Sequence, residues 1–284
     1  MSDIRDTSVA VVTYNSAAVI RDCLSALRGC APIWVVDNAS QDGTINVAKE
    51  CCPGVIAIEL PENIGFGRAV NRVLERCEGR YVLVLNPDVV LKPDAIKLLV
   101  DAGEENPRAW VVAARLFFPD GRPQRSFLPY REGFLPSESA VVVKQVLGAV
   151  MLLRRREVLE LLGGFDEAFF LYGEDEDLCY RVAGAGGRVL LVPRAEAIHV
   201  YGASSGEDDE IRAKKAWHLS WARVRVARKH RGFCAALGYV ARVSIVYGYR
   251  AAWALVKRDD RAVCECVKRI GGAYAALAGR CAFE

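Results

Sequence analysis

Between positions 163 and 181 the chain reads GGFDEAFFLYGEDEDLCYR, with Glu174, Asp175, Glu176 and Asp177 in succession behind Phe165, Phe169, Phe170 and Tyr172. Successive carboxylates repel one another and raise one another's pKa, so such a run is either a solvated helix start or a site that meets cations and protons. A second group of polar residues recurs wherever a short apolar run ends. Asn15 follows residues 8–13, Asp37 follows residues 33–36, Asn63 and Gly65 follow residues 55–60, and Asp88 follows residues 81–85.

The elements that must hold these residues follow from periodicity. Each of the four runs is short, apolar and rich in β-branched residues, and each leads through a polar loop into a helical pattern, such as Val19, Ile20, Cys23, Leu24 and Leu27. Apolar strands alternating with helices predict a parallel sheet covered on both faces. In such sheets ligands sit at the carboxyl ends of the strands, which is where Asn15, Asp37, Asn63, Gly65 and Asp88 fall. Further along, a helix is predicted over residues 93–105 and a strand over 110–118, with a turn at Pro119-Asp120-Gly121. Residues 123–139 read as a long mobile loop beside the site. A strand over 141–153 is interrupted at Gly148, which marks a close approach of ligand or backbone. A helix over 154–162, strands over 188–192 and 197–201, and His199 on the last of these complete the body.

A chain of 284 residues with 52% hydrophobic content buries a full core. The net charge of +3 hides an asymmetry: residues 1–210 hold 22 Lys/Arg against 31 Asp/Glu, and residues 211–284 hold 16 against 4. The basic end predicts an anionic partner. The ten cysteines form no CxxC pair and, with no secretory signal at the N-terminus, read as reduced cytoplasmic thiols. Residues 211–231 read as a basic helix. Residues 233–256 are apolar but interrupted by Arg242 and Arg250, which suits a helix lying on a membrane better than one crossing it, the alternative being a helical subdomain packed on the body. The aromatic and aliphatic content of this end favours lipid over nucleic acid, and no nucleic acid is expected as a partner.

VVTYN (11–15), VVDNASQDG (35–43), NIGFGRAVN (63–71), LNPDV (85–89), the acidic stretch and the single His199 together resemble family 2 glycosyltransferases of the GT-A fold, most closely the bacterial rhamnosyltransferase-like enzymes, over residues 8–206. The resemblance implies a GT-A α/β domain over residues 1–206, a mostly parallel sheet with helices on both faces, and a basic helical extension over 207–284. It implies a donor site of Thr13, Tyr14, Asn15, Asp37, Asn63, Gly65, Phe66, Asn71, Asn86 and Gly148. Asp37 would hold the nucleoside, since a carboxylate there can accept from a base imide or a ribose hydroxyl; helix capping is left to Ser40 and Asp42. Arg125 and Ser126 are weaker candidates for contact with donor phosphates.

Asn86-Pro87-Asp88 stands where the family carries its metal-binding Asp-x-Asp, so only Asp88 offers a carboxylate, with His199 as second ligand. Oxygen with imidazole suits Mn2+ or Mg2+. Asp175 falls at the family's base, with Glu174 as its rival and Asp177 holding the helix. Phe170 and Tyr172 are expected to wall the acceptor site. The activity so implied is inverting transfer of a sugar, rhamnose in the nearest likeness, from a dTDP- or UDP-sugar to a glycan or lipid-linked acceptor of cell-surface polysaccharide at the cytoplasmic membrane face. A nucleotidyltransferase fits less well, because Thr13-Tyr14-Asn15-Ser16 stands where a Gly-rich opening is needed. A non-catalytic sugar- or membrane-binding module is the other alternative.

Overall fold

In the computed structural model, which describes residues 6–27, 29, 32–129, 138–200 and 209–283, each apolar run of the first hundred residues is a strand. β1 (Thr7–Thr13) and β4 (Tyr81–Leu85) are buried along their whole lengths. Between them lie α1 (Ile20–Ser25), β2 (Ile33–Asp37), α2 (Thr44–Cys51), β3 (Ile56–Glu59) and α3 (Phe66–Leu74). Strands apolar on both sides need cover on both sides. Leu24, Leu27 and Leu99 pack with Val9 and Leu83 in one cluster. Val70, Val73, Leu74 and Phe165 pack with Val82 and Val84 in the other.

The chain continues through β5 (Val89–Leu91), α4 (Ala95–Glu105), β6 (Ala109–Phe117), β7 (Phe127–Leu128), β8 (Val141–Val143), β9 (Gln145–Val146), β10 (Val150–Arg154), a π-helical turn (Glu157–Leu161), α5 (Glu174–Gly184) and β11 (Arg188–His199). The main sheet has the order β3-β2-β1-β4-β10-β6-β11-β5, with β8 added to β11. β1 to β4 are parallel, as are β6 and β11, whereas β10 runs against β4 and β6, and β5 runs against β11. The expected mostly parallel α/β sheet is present. Order reverses at β1, because the chain winds outward through β2 and β3 and then returns to β1's other side at β4. The carboxyl ends of β1 and β4 therefore flank a crevice.

Several expectations need correction. Residues 141–153 are three strands rather than one, with Gly148 and Ala149 in the link before β10. The two strands predicted over 188–201 are a single β11 to His199, whose register against β6 slips between Val192 and Glu196; Pro193, lacking an N–H, sits at that irregularity. Tyr201 and the expected domain boundary at residue 206 lie outside the described residues. The predicted long loop contains β7, paired with β9, and its residues 130–137 also lie outside them.

By compactness the chain divides into Met1–Phe165 with Leu178–Ser205, and Asp166–Asp177 with Gly206–Glu284. The acidic stretch thus goes with the C-terminal helices. In that second unit α6 (Asp209–Arg231) packs on α7 (Phe233–Val256) and α8 (Asp260–Leu277), burying Trp221, Val224 and Val226. The close approach of α6 and α8 depends on Gly272, where a Cβ would lie 2.2 Å from the Trp217 carbonyl oxygen. Among the described residues no helix is long and apolar enough to cross a membrane, and the nine described cysteines are free thiols.

Candidate active site

At the carboxyl end of the sheet the loops after β1 and β2 lock together. Asp37 is 5% exposed; its Oδ1 accepts from Thr13 Oγ1 at 2.6 Å and its Oδ2 from the Ser40 N–H at 2.9 Å. Asn15, at φ +50°, donates its N–H to Ser40 Oγ and accepts from the Gln41 N–H, both at 2.8 Å. α2 is capped by Gly43 with no side-chain cap bond, so Asp37 is not that helix's cap, and neither is Asp42, which stands before Gly43 and accepts from the N–H and hydroxyl of Thr44. Beside these, Tyr14 is 42% exposed. Asn63 Oδ1 accepts from the Gly65 N–H at 3.0 Å, and Gly65 takes φ +86° to begin α3, with Phe66 next. Backbone amides and a rigid carboxylate at strand ends suit a nucleotide.

After β4, Asn86 is tied through its N–H to the Ala149 carbonyl at 3.0 Å, which sets Gly148 next to it in the loop before β10. Asp88 is 4% exposed, and its Oδ1 has no hydrogen-bond partner. His199, 3% exposed, points Nε2 at that oxygen from 3.4 Å. The strands themselves bring the two together, since His199 pairs with Val89 in the β11–β5 ladder and the Val200 N–H donates to the Asp88 carbonyl at 2.9 Å. Gln124 fixes the imidazole: its Nε2 donates to the His199 carbonyl at 2.7 Å, and its Oε1 faces Nδ1 at 3.0 Å. Since that oxygen can only accept, Nδ1 donates to it, and Nε2 is the ring nitrogen that faces Asp88. The negative field of Asp88 reaches Cys23, whose thiol is pushed up to about 12 by burial and then by this charge. A carboxylate oxygen and an imidazole nitrogen that converge in this way are the donor types that would hold one small divalent ion, and among the described residues no third His, Cys, Asp or Glu joins them. The Gln124 contact is the kind of outer hydrogen bond that orients a ligating histidine.

Gln124 was not legible in the sequence, where Arg125 and Ser126 drew attention. Arg125 is exposed, and Ser126 is buried with its Oγ unpaired. Asn71, expected in the donor site, is placed differently. It is 3% exposed, donates Nδ2 to the Phe165 carbonyl at 3.0 Å and accepts from the Phe165 N–H at 2.8 Å. Any Cβ at Gly164 would come within 2.5 Å of its Oδ1. This amide therefore latches α3 to the chain that leads into the acidic stretch.

Within the second unit the four carboxylates have separate surroundings. Asp177 is fully buried and meets Lys229 Nζ and His230 Nε2, each at 2.7 Å. The same lysine reaches Asp166 at 2.7 Å. Glu176 pairs with Arg223 at 3.3 Å and Arg231 at 3.6 Å. Asp175 is half-buried and accepts from the Glu176 N–H at 2.7 Å in the first turn of α5. Glu174 is 8% exposed with Oε2 unpaired, and burial, then the Asp175 charge, pushes its pKa up to about 8. Basic α6 residues thus pair with Glu176 and Asp177, while Glu174 is the carboxyl of the run whose pKa burial raises.

The aromatic wall expected here is corrected in part. Phe169 is buried edge-on against Trp221, and Phe170 packs on His218 and Phe283, so both anchor the stretch to the helices. Tyr172, at φ +69°, stays half-buried.

Two consequences can be measured. Lys229→Ala leaves buried Asp177 with one partner fewer and is expected to cost about 1–3 kcal/mol in urea unfolding; an unchanged midpoint would show that the pair contributes nothing. Glu174 holds its proton more tightly folded, at about 8, than at its ordinary 4.5. Its contribution to stability is therefore full below the lower value and is lost as pH rises through the higher one. Glu174→Gln cannot ionise, so its melting temperature should gain on the wild type between about pH 5 and pH 8 and hold that gain above. A pH-independent difference would contradict the raised pKa.

Comparison with known proteins places this geometry. The model of glycosyl transferase family 2 matches residues 8–162. The N-acetylglucosaminyl-diphospho-decaprenol L-rhamnosyltransferase of Mycobacterium tuberculosis is 31% identical, over 79% of this chain and 85% of that protein. The rhamnosyltransferase WbbL of Escherichia coli K12 is 30% identical, over 58% of this chain and 71% of its own. Among solved structures, a mannosyltransferase from Pyrobaculum calidifontis in complex with GDP-Man and Mn2+ superimposes with a TM-score of 0.60 at 19% identity, covering 96% of this chain and 87% of that one.

Proposed function

The chain belongs to glycosyl transferase family 2, and from that premise we propose that it transfers rhamnose, with inversion, from dTDP-rhamnose to a lipid-linked glycan acceptor in cell-surface polysaccharide synthesis. The sugar is supported by the names of both rhamnosyltransferase relatives, and the lipid-linked acceptor by that of the Mycobacterium tuberculosis enzyme. A UDP-sugar donor and a lipid-free glycan acceptor are the nearest variants. The single observation that carries the reading is the buried Asp88–His199 pair, oriented by Gln124 at the carboxyl end of the sheet.

The roles follow from the chemistry of each group. Thr13, Tyr14, Asn15, Asp37, Asn63, Gly65, Phe66, Asn86 and Gly148 are assigned to the donor, with Asp37 on the nucleoside; Asn71 is kept as a residue that shapes this region. Asp88 and His199 hold a divalent ion, Mn2+ or Mg2+. When bound, that ion supplies counter-charge to the diphosphate leaving group. Asp175 accepts the proton of the acceptor hydroxyl as its oxygen bonds to the anomeric carbon and the bond from that carbon to the diphosphate oxygen breaks. Glu174, carrying a proton at neutral pH, keeps a second charge away from Asp175. Residues 1–206 are assigned to the transferase domain, and 207–284 to a helical extension in peripheral contact with an anionic membrane at its cytoplasmic face.

A donor panel of dTDP-rhamnose, UDP-GlcNAc and GDP-mannose, each with and without Mn2+, tests this on a lipid-linked acceptor. Rhamnose transfer with release of dTDP, raised by the metal, is the expected result. If no donor is bound or hydrolysed and Asp88→Ala changes nothing, the transferase assignment fails. Gln124→Leu frees the imidazole of His199 to rotate and is expected to weaken Mn2+ activation about 10–100-fold, read as the metal concentration for half-maximal rate. An unshifted metal curve would remove Gln124 from the site.

A further inference from the structure

Helix α7 is apolar on two sides, and only one is covered. Ala236, Val240, Val243 and Ala254 are buried within the helical unit. On the outer side Leu237, Ile245, Tyr249, Trp253 and Val256 recur at helical spacing and are between 48% and 77% exposed. Single exposed apolar side chains are ordinary, but Ile245, Tyr249, Trp253 and Val256 fall within about 80° of one another at about 100° per residue and make one stripe over the second half of this 24-residue helix, with Leu237 near its edge. α7 holds no Asp or Glu, while Arg242 is exposed on the line of the stripe, Arg250 is exposed beside it, and Lys257 and Arg258, then Asp259 and Asp260, follow directly. Lys257 Nζ stands 5.2 Å from the Trp253 ring centroid, so cation and aromatic share one patch.

Three partners of different chemistry can be compared. A second copy laid on this stripe would bring Arg242 and Arg250 of each chain against their equivalents with no acidic residue on the helix, Asp259 and Asp260 lying beyond its end beside Lys257 and Arg258, which is unfavourable along the stripe itself. A polyanion without an apolar phase would leave Ile245, Tyr249 and Val256 in water. An anionic bilayer answers both parts: apolar side chains enter the acyl boundary, Trp and Tyr sit at headgroup level, and Arg and Lys meet phosphates. With Arg242 and Arg250 in its length, the helix lies in the plane of that surface and does not span it.

We propose that the outer face of α7 is an in-plane anchor for anionic membrane, with Ile245, Tyr249 and Trp253 at its centre and Arg242, Arg250, Lys257 and Arg258 on the headgroups. The anchor gives a location to the membrane contact in the proposed function and rests on that reading for its purpose. Its binding can be tested without any glycosyl transfer.

The full chain is floated with vesicles of phosphatidylcholine, or of phosphatidylcholine and phosphatidylglycerol at about two to one, neither containing acceptor lipid. Wild type is expected to float with the anionic vesicles, and the triple variant Ile245→Glu, Tyr249→Glu, Trp253→Glu to partition at least about tenfold less. Leu161→Glu, an equally exposed apolar site outside this unit, should float as wild type does. Should the triple variant unfold, brominated lipid is expected to quench wild-type emission more than that of Trp253→Phe. Failure of wild type to float, equal flotation of the triple variant, equal quenching, or a wild-type dimer that the triple variant dissolves would each overturn the anchor. Turnover on a soluble acceptor is read in parallel: flotation without turnover defeats the transferase assignment and leaves the anchor, and turnover without flotation does the reverse.

Discussion

Asp175→Asn is expected to lower turnover by roughly 10²–10⁴-fold, the range that a positioned general base contributes, while donor binding and the melting temperature stay near wild type. The amide keeps the shape of the carboxylate and can still accept from the Glu176 N–H, a contact of 2.7 Å in the first turn of α5. What it loses is basicity. Each of the other carboxylates in the run has a reason not to replace it. Asp177 is fully buried against Lys229 and His230, and Glu176 is paired to Arg223 and Arg231. Glu174 holds a proton up to about pH 8. If Asp175→Asn retains turnover and Glu174→Gln abolishes it, the base is Glu174 and the two exchange roles.

Asp88→Ala is the second large effect, on the order of 10³-fold in turnover, because an ion countering a diphosphate contributes several kcal/mol to the transition state and each 1.4 kcal/mol is a factor of ten. The variant should also lose its response to Mn2+. Structure should not suffer: Oδ1 of Asp88 has no hydrogen bond to lose, and a buried carboxylate left facing an imidazole without a cation is itself unfavourable. Stimulation by metal retained in Asp88→Ala, or a fall in activity matched by a fall in melting temperature, would move the metal site elsewhere.

Much of the donor half was legible because strand ends announce themselves. Four apolar runs fixed β1 to β4, and the polar residues behind them, Thr13, Asp37, Asn86 and Asp88, came with the strands. By its own pattern His199 was a lone histidine on a strand, and its place as second ligand to Asp88 came from the family resemblance. Its partner depended on β5, a three-residue strand with no periodic signal, which pairs with the end of β11 and brings Asp88 beside it. Gln124 was hidden for another reason: its role is made by two hydrogen bonds to a residue 75 positions away, and composition says nothing about such contacts. Asn71 entered the donor site through the family resemblance of residues 63–71. In the fold its amide meets a backbone 94 positions on, which no local pattern encodes.

The charge asymmetry was read correctly and interpreted too simply. Sixteen basic residues near the C-terminal end suggested one outward-facing anionic partner. Arg223, Lys229, His230 and Arg231 of α6 turn out to face Asp166, Glu176 and Asp177 of the same unit, and Arg242, Arg250, Lys257 and Arg258, at α7 and its end, are among the cations left exposed.

That division of labour limits how the protein can be taken apart. A shortened chain ending near residue 206 would seem the natural minimal enzyme, since the family match ends well before that point. Such a chain would keep all four carboxylates and discard the α6 cations set against them, taking Lys229 and His230 away from the buried Asp177. Loss of activity on truncation would then report a broken electrostatic frame and could be mistaken for loss of a membrane tether. The two roles of the C-terminal helices are separable only by single-residue changes, inward on α6 and outward on α7.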